Sequence, residues 1–134
     1  MTPNLKVLIG DDQIAKPDSP SRLNFEEDYG QLPVSFDHET DPQRVIKRAN
    51  EEQYDAIVTD HDYKQDITGL DVLGAVNGLA RVLVFHTGTE TVQNQGFERG
   101  ADYCIPKGLP PEDFYEILTG RSENFKDQGK LLSV

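Results

Sequence analysis

Short apolar runs, of the length that buried β-strands have, alternate with segments of helical character along most of this chain. The clearest runs are residues 5–9, 54–59 and 81–86, and each of them stops at polar or glycine residues. An alternating run at residues 32–36 contains a proline, which is typical of an edge strand, and residues 103–105 form a short further run. The pattern therefore predicts five strands.

Helix signals lie in the intervals between these runs. Pro20 follows Ser19, and Pro42 follows Asp41, so that each proline stands at a first helical position behind a capping residue. Gly100 is a natural C-terminal cap for the fourth helix. Helices are predicted at about residues 19–29, from residue 41 onward, and at about residues 70–76, 89–99 and 110–118.

Strands that alternate with helices predict an α/β fold in which helices cover both faces of a mainly parallel sheet. Right-handed crossovers leave few topologies, and the commonest small one is the flavodoxin-like, doubly wound sheet of five strands in the order 2-1-3-4-5. A length of 134 residues fits one domain. We expect this domain at residues 1–120, followed by a polar, frayed tail at residues 121–134.

Charge and hydropathy exclude several classes of function. The chain has 13 basic and 24 acidic residues and a net charge of −11, which disfavours direct binding to DNA or RNA. No apolar stretch approaches the roughly 20 residues that a membrane span needs, so no membrane insertion is expected. The N-terminus lacks the basic and then apolar pattern of a secretory signal, and a single Cys104 forms no internal disulfide, so we expect a cytoplasmic protein.

Polar residues with chemical potential stand at the predicted strand ends. Asp11 and Asp12 follow the first strand, Asp60 follows the third, and Thr87 and Lys107 follow the fourth and fifth. Sites in open parallel sheets form at the carboxyl ends of the strands, where the winding reverses, which here is between strands 1 and 3. The charges of three carboxylates at such short range need neutralisation. Mg²⁺ is suited to provide it because it prefers oxygen ligands.

In these segments the sequence resembles the receiver domain of bacterial two-component response regulators, the CheY-like superfamily. The likeness extends over about residues 4–120. Each piece is weak alone, but together and in this order they are specific. The matching segments are residues 7–12, 56–60, 69–73, 84–88 and 100–107.

The resemblance implies a role for each of these polar residues. Asp60 is implied to be the phosphoacceptor, and Thr87 and Lys107 are implied to bind the phosphoryl oxygens. The implied Mg²⁺ ligands are Asp12 and Asp60, Asp11 largely through water, and the backbone carbonyl of Asp62.

The resemblance also implies partners and a kind of activity. A histidine kinase or a histidine phosphotransfer protein is implied as phosphodonor, and a downstream protein partner receives the signal. Such a domain catalyses only its own phosphorylation and dephosphorylation, so it is not an enzyme in the ordinary sense. The roughly 14 residues after position 120 are too few for an effector domain, so we expect either a stand-alone receiver or a receiver excised from a longer protein.

Two departures from the family pattern stand out. Receivers usually carry a Met-Pro pair shortly after the phosphoacceptor, whereas residues 61–66 here contain neither, and the segment is one residue longer. The position of the family's aromatic switch residue is occupied by Cys104, with Tyr103 just before it. Neighbouring strand residues point to opposite faces, so Tyr103 is not expected to replace the missing aromatic side chain.

Two other functions compete with this interpretation. The Asp60-His61-Asp62 sequence after an apolar strand resembles the Asp-x-Asp motif of haloacid-dehalogenase-type phosphatases, in which the second Asp is a general acid. In those enzymes, however, the additional metal-binding acids follow the Lys, whereas Asp11 and Asp12 precede every other site residue here. The other alternative is a degenerate receiver that acts only as a protein-interaction module.

Overall fold

One parallel five-stranded sheet with five connecting helices forms the fold in a computed structural model that describes residues 4–14, 16–87 and 90–126. The strands are β1 (Leu5–Gly10), β2 (Val34–Glu39), β3 (Tyr54–Asp60), β4 (Ala80–His86) and β5 (Tyr103–Ile105). The helices are α1 (Pro20–Tyr29), α2 (Pro42–Glu51), α3 (Gly69–Val76), α4 (Glu90–Glu98) and α5 (Pro111–Leu118). The strand order β2-β1-β3-β4-β5 confirms the predicted doubly wound, flavodoxin-like fold.

Both faces of the sheet are covered by buried apolar side chains. Val7, Leu8 and Ile9 of β1 are all fully buried, which explains why the sequence of this strand is a continuous apolar run. Helices α1 and α5 pack on one face through Phe25, Tyr29, Phe114, Ile117 and Leu118. Helices α2 and α3 pack on the opposite face through Val45, Ala49, Val72, Leu73 and Val76, and α4 adds partly buried side chains there.

The predicted capping residues start the first two helices. Ser19 Oγ accepts a hydrogen bond of 3.0 Å from Arg22 N, and Asp41 Oδ1 accepts one of 2.9 Å from Gln43 N. Each proline then occupies the first turn, where its missing N–H costs nothing. Gly100 lies beyond α4 at a φ of 108°, a conformation that favours glycine. Within the described ranges, no helix is long and apolar enough to cross a membrane.

The position of β2 differs from the sequence prediction. The strand runs from Val34 to Glu39, not over residues 32–36. Its register is set by pairing with β1, from Leu5 opposite Val34 to Gly10 opposite Glu39. The polar residues at the end of β2 carry no strand signal in the sequence. An edge strand tolerates such side chains because it has a neighbour on only one side. The predicted start of the fourth helix, residue 89, lies outside the described residues.

The segment after α5 contacts the edge of β5. Cys104 N donates to Phe125 O at 3.1 Å, Tyr103 pairs with Lys126 in an antiparallel bridge, and Ser122 is buried. The expectation of fraying is therefore wrong for residues 121–126. The reason is that β5 leaves unpaired backbone groups at the sheet edge, which this segment satisfies. Residues 127–134 of the predicted tail lie outside the described residues, and the domain boundary at residue 120 stays a prediction.

The register of the sheet brings four strand ends to one edge. Gly10 lies opposite Thr59, Asp60 lies opposite His86, and His86 lies opposite Ile105. Residues that follow β1, β3, β4 and β5 therefore come together, as the sequence predicted for a site at the carboxyl edge.

Candidate functional site

Asp11 is the buried acid at the end of β1. Its backbone N–H continues the sheet by donating to Glu39 O at 3.1 Å. Its Oδ1 accepts hydrogen bonds from Gln13 N at 2.7 Å and from Ile14 N at 3.0 Å. This turn, which aspartate favours because its carboxylate can accept from the following backbone, fixes the side chain and leaves Oδ2 for other contacts.

Lys107, from the loop after β5, bridges the acids of two strands. Its Nζ lies 2.7 Å from Asp11 Oδ2 and 3.4 Å from Asp60 Oδ1. Asp60 Oδ1 also accepts a hydrogen bond of 2.9 Å from His61 N, which orients the carboxylate at the end of β3. One ammonium thus contacts the carboxylate at the end of β3 and the carboxylate that follows the neighbouring strand β1.

Three carboxylates form a compact cluster around this ammonium. Asp11, Asp12 and Asp60 each offer an oxygen, and these oxygens lie within 4.8 Å of one another. Three negative charges against the single positive charge of Lys107 leave two negative charges without compensation. A divalent cation that takes oxygen ligands, such as Mg²⁺ or Ca²⁺, fits both the donor atoms and the charge of this cluster.

The two remaining predicted site residues, Thr87 and Asp62, differ in their position relative to the acidic cluster. Thr87 directly follows β4, and its backbone N–H donates to Ile105 O at 2.8 Å, which places it on the same edge. Asp62 has an exposed carboxylate outside the acidic cluster, and its Oδ1 accepts from Lys64 N at 2.8 Å. The roles of Thr87 as a phosphoryl ligand and of the Asp62 carbonyl as a metal ligand stay predictions.

Solved structures share this arrangement of strands and helices, although no protein-family model and no curated protein matches the sequence. A response regulator from Burkholderia pseudomallei, with a phosphorylated aspartic acid, calcium ion and citrate, aligns with a TM-score of 0.73 at 16% identity, over 97% of this chain and 74% of that one. Chemotaxis protein CheY4 from Vibrio cholerae aligns with a TM-score of 0.70 at 18% identity, over 89% and 99% of the two chains. The receiver domain of sensor histidine kinase PA1611 from Pseudomonas aeruginosa, with a coordinated magnesium ion in its active-site cleft, gives 0.71 at 15% identity, over 87% and 96%.

The chain has the receiver fold of response regulators. The likeness covers nearly the whole chain in each comparison, which confirms the fold that the sequence resemblance implied. At identities of 15 to 18% the comparisons establish the fold, and the function depends on the site residues themselves.

Burial and charge shift the pKa values in this receiver-fold site. Burial, followed by the charge of Asp11, raises the pKa of Asp60 to about 6, although Lys107 and the His61 N–H oppose the rise. Burial lowers the pKa of Lys107, but its hydrogen bond to Asp11 and the charges of Asp11 and Asp60 outweigh this, so the net shift is upward. The site therefore holds a protonated Lys107 beside the Asp60 carboxylate, whose ionised form is unfavourable without further positive charge.

Sequence reasoning missed Tyr63, which the receiver fold places next to this site. Its side chain is only 3% exposed, and its hydroxyl forms a hydrogen bond of 2.6 Å with Thr59 Oγ1. The available signal was Gly10, a residue without a side chain at the end of an otherwise bulky apolar strand. A glycine there indicates that another group occupies the space.

The raised pKa of Asp60 predicts a pH-dependent cost to stability. The folded state favours the protonated form of Asp60. The stability that this form gives is complete below the ordinary pKa of 3.8 and is lost as the pH rises through about 6. Asp60→Asn should therefore raise the free energy of unfolding by about 2 to 3 kcal/mol at pH 7.5 without Mg²⁺, and by about 1 kcal/mol or less near pH 4. Urea denaturation at several pH values measures this difference.

Asp62→Asn is the matched control, since the Asp62 carboxylate is exposed and its replacement should leave the free energy of unfolding close to the wild-type value. Saturating Mg²⁺ should shrink the advantage of Asp60→Asn at pH 7.5, because the cation stabilises the ionised wild-type cluster. An advantage that does not vary with pH would show that Asp60 is not electrostatically strained.

Proposed function

We propose that this chain is a signalling receiver domain that accepts a phosphoryl group on Asp60 from a histidine kinase or a histidine phosphotransfer protein, with Mg²⁺ bound beside the acceptor. The observation that carries the proposal is the position of Lys107 Nζ, 2.7 Å from Asp11 and 3.4 Å from Asp60, in a cluster of three acids. Neighbours of the same fold are described with a phosphorylated aspartic acid and with magnesium in the active-site cleft, which supports it. A cytoplasmic location stays a prediction.

The chemistry requires an ionised carboxylate and positive charge around the transferred group. A carboxylate oxygen of Asp60 forms the new P–O bond while the P–N bond of phosphohistidine breaks, and the imidazole nitrogen retains the electron pair. Lys107 Nζ is near enough to Asp60 to donate to a phosphoryl oxygen once that group has arrived. When bound, Mg²⁺ supplies the charge neutralisation that brings phosphate and carboxylate together.

A phosphatase of the Asp-x-Asp type is less well supported by this geometry. Its general acid would have to be Asp62, and a general acid at neutral pH needs a raised pKa. The hydrogen bond from Lys64 N to its carboxylate instead lowers the pKa of Asp62. We therefore propose that the chain catalyses only its own phosphorylation and dephosphorylation, without turnover of phosphate esters.

A degenerate receiver would lack a functional group at one or more site positions. Here Asp11, Asp12 and Asp60 share one cluster, and Lys107 contacts two of them. Keeping three acids and one ammonium together costs stability, because like charges repel and burial opposes ionisation. This cost favours an active site over a surface that serves only for protein contact.

Contacts around Thr87 indicate how phosphorylation could reach a partner. Gln93 of α4 donates from Nε2 to Thr87 O at 3.3 Å, and its own backbone carbonyl accepts from Cys104 Sγ at 3.4 Å. Gln93 thus joins the site edge to α4 and β5. Tyr103 lies in the other layer of the core, where its hydroxyl donates to Ser122 O at 2.8 Å. We propose that the signal leaves through α4 and β5 by this route, toward a downstream protein partner.

The proposed function predicts labelling of Asp60 by a small phosphodonor. With acetyl phosphate and Mg²⁺, mass spectrometry should show one added phosphoryl group on the wild-type protein and none on Asp60→Asn, because an amide is not a nucleophile. Chelation of Mg²⁺ should abolish the labelling. Full labelling of Asp60→Asn, or of the wild type in a chelator, would contradict the assignment.

Asp62→Asn is the control and also tests the phosphatase alternative. This variant should be labelled on Asp60 like the wild type, and neither protein should hydrolyse a phosphate monoester with saturable kinetics. Rapid hydrolysis by the wild type that is lost in Asp62→Asn would instead favour the phosphatase.

The proposed signalling route predicts which residues respond to activation. On addition of beryllofluoride and Mg²⁺, amide NMR signals of residues 87–91 and 93 should shift in the wild type and in Tyr103→Ala. Thr87→Ala should lose most of this response, since it lacks the hydroxyl that turns toward the new acceptor oxygens. Loss of the response in Tyr103→Ala and its survival in Thr87→Ala would show that Tyr103 is the working switch. Residues 88 and 89 lie outside the described residues.

A further inference from the structure

Tyr63 occupies the segment between β3 and α3, where this chain departs from the usual receiver sequence. The side chain is 3% exposed and belongs to the core layer that contains α2 and α3. A tyrosine in a core needs a partner for its hydroxyl, so its presence indicates a specific contact and not only bulk.

The hydroxyl of Tyr63 is linked to the backbone of Asp60. Thr59 Oγ1 donates to Asp60 O at 3.1 Å, and the phenol lies 2.6 Å from the same Thr59 oxygen. Either hydroxyl can donate in the Tyr63–Thr59 pair, and the phenol is the donor when the threonine proton is directed to the carbonyl. Two hydrogen bonds in series thus connect Tyr63 to the main chain of the proposed phosphoacceptor.

Gly10 provides the space for the phenol. A Cβ atom on Gly10 would collide with the Tyr63 hydroxyl oxygen and lie 2.8 Å from Val45 Cγ2. The backbone of Gly10 does not have a positive φ, so conformation does not require glycine there. Glycine is required because the tyrosine hydroxyl lies against the end of β1.

The same segment is also fixed at its other end. Gly69 N donates to His61 O at 2.7 Å, and His61 N donates to Asp60 Oδ1 at 2.9 Å. Asp62, whose carbonyl is the predicted third protein ligand of the metal, lies directly between His61 and Tyr63. Because Asp62 is covalently joined to both neighbours, the buried position of Tyr63 limits where that carbonyl can lie.

We propose that Tyr63 and Gly10 are a matched pair that positions the segment after Asp60 for metal binding, in place of the Met-Pro sequence usual in receivers. Tyr63 acts through Thr59 and the backbone and is a positioning residue. This inference rests on the proposed function, because it assumes that the acidic cluster binds Mg²⁺.

The test is a double-mutant cycle on Mg²⁺ affinity, measured by isothermal titration calorimetry. Tyr63→Phe removes only the hydroxyl and should weaken Mg²⁺ binding by about 10-fold, as is typical for residues that orient metal ligands. Gly10→Ala should weaken binding at least as much beside Tyr63. In the Tyr63→Phe background the alanine should cost clearly less affinity than it does beside Tyr63, because the clashing oxygen is gone and the close contact with Val45 Cγ2 remains.

Tyr54→Phe is the matched control. Tyr54 lies at the opposite end of β3, is 5% exposed, and donates its hydroxyl hydrogen bond to Asp37 Oδ2 at 2.9 Å. It should lower the melting temperature about as much as Tyr63→Phe and leave Mg²⁺ affinity unchanged. In the metal-free protein, the amide signals of Asp60 and His61 should shift in Tyr63→Phe and stay in place in Tyr54→Phe.

The outcomes separate this inference from the proposed function. Wild-type Mg²⁺ affinity in Tyr63→Phe, together with normal labelling of Asp60, would overturn the positioning role alone. Equal losses of affinity in Tyr63→Phe and Tyr54→Phe would also overturn it, since the effect would then be general destabilisation. No Mg²⁺ binding by the wild type would overturn both proposals. If Gly10→Ala does not fold, the comparison of the two tyrosine variants still decides.

Discussion

Lys107 holds together two carboxylates that would otherwise repel each other, and the rest of the site depends on this contact. Its ammonium is 2.7 Å from Asp11 and 3.4 Å from Asp60, although these acids belong to different strands. Burial and the charge of Asp11 raise the pKa of Asp60 despite the nearby Lys107, so this one ammonium does not offset both effects. The proposed Mg²⁺ would supply the missing positive charge, and a phosphoryl group would then share these cations with the carboxylates.

The sheet brings these charged residues together with little contribution from the loops. Strand register places the ends of β1, β3, β4 and β5 at one edge, so single residues after each strand reach a common centre. This is why the sequence could predict both the fold and the acidic cluster: apolar runs define the strands, and residues that end them must meet. This pattern predicts Asp11, Asp60 and Lys107 as neighbours at the carboxyl edge, where their side chains are in contact.

Other features could not be predicted, and each for a physical reason. The bounds of β2 depend on its pairing with β1, which extends into polar residues that have no strand signal of their own. The contact of residues 121–126 with β5 arises because an edge strand seeks a partner, which local composition does not reveal. The seat of Tyr63 against Gly10 joins positions far apart in the chain, and only three-dimensional packing shows that the glycine is needed for space.

The residues of β5 that replace the usual receiver pattern also have contacts that packing explains. Cys104 fills the position where receivers usually have an aromatic residue, and its thiol contacts Gln93 O of α4. Tyr103 is committed to the opposite layer by its hydrogen bond to Ser122. In the proposed signalling route, hydrogen bonds between Thr87, Gln93 and Cys104 would take the place of a rotating ring.

The central claim is that the acids of β1 and β3 and the lysine after β5 form one centre for a metal and a phosphoryl group. A crystal structure of the protein grown with Mg²⁺ and beryllofluoride tests it most directly. The account predicts beryllofluoride on an Asp60 oxygen, with Mg²⁺ between Asp12 and Asp60 and with Lys107 Nζ in contact with a fluorine. Beryllofluoride on any other residue, or a metal ion bound away from Asp60, would contradict it.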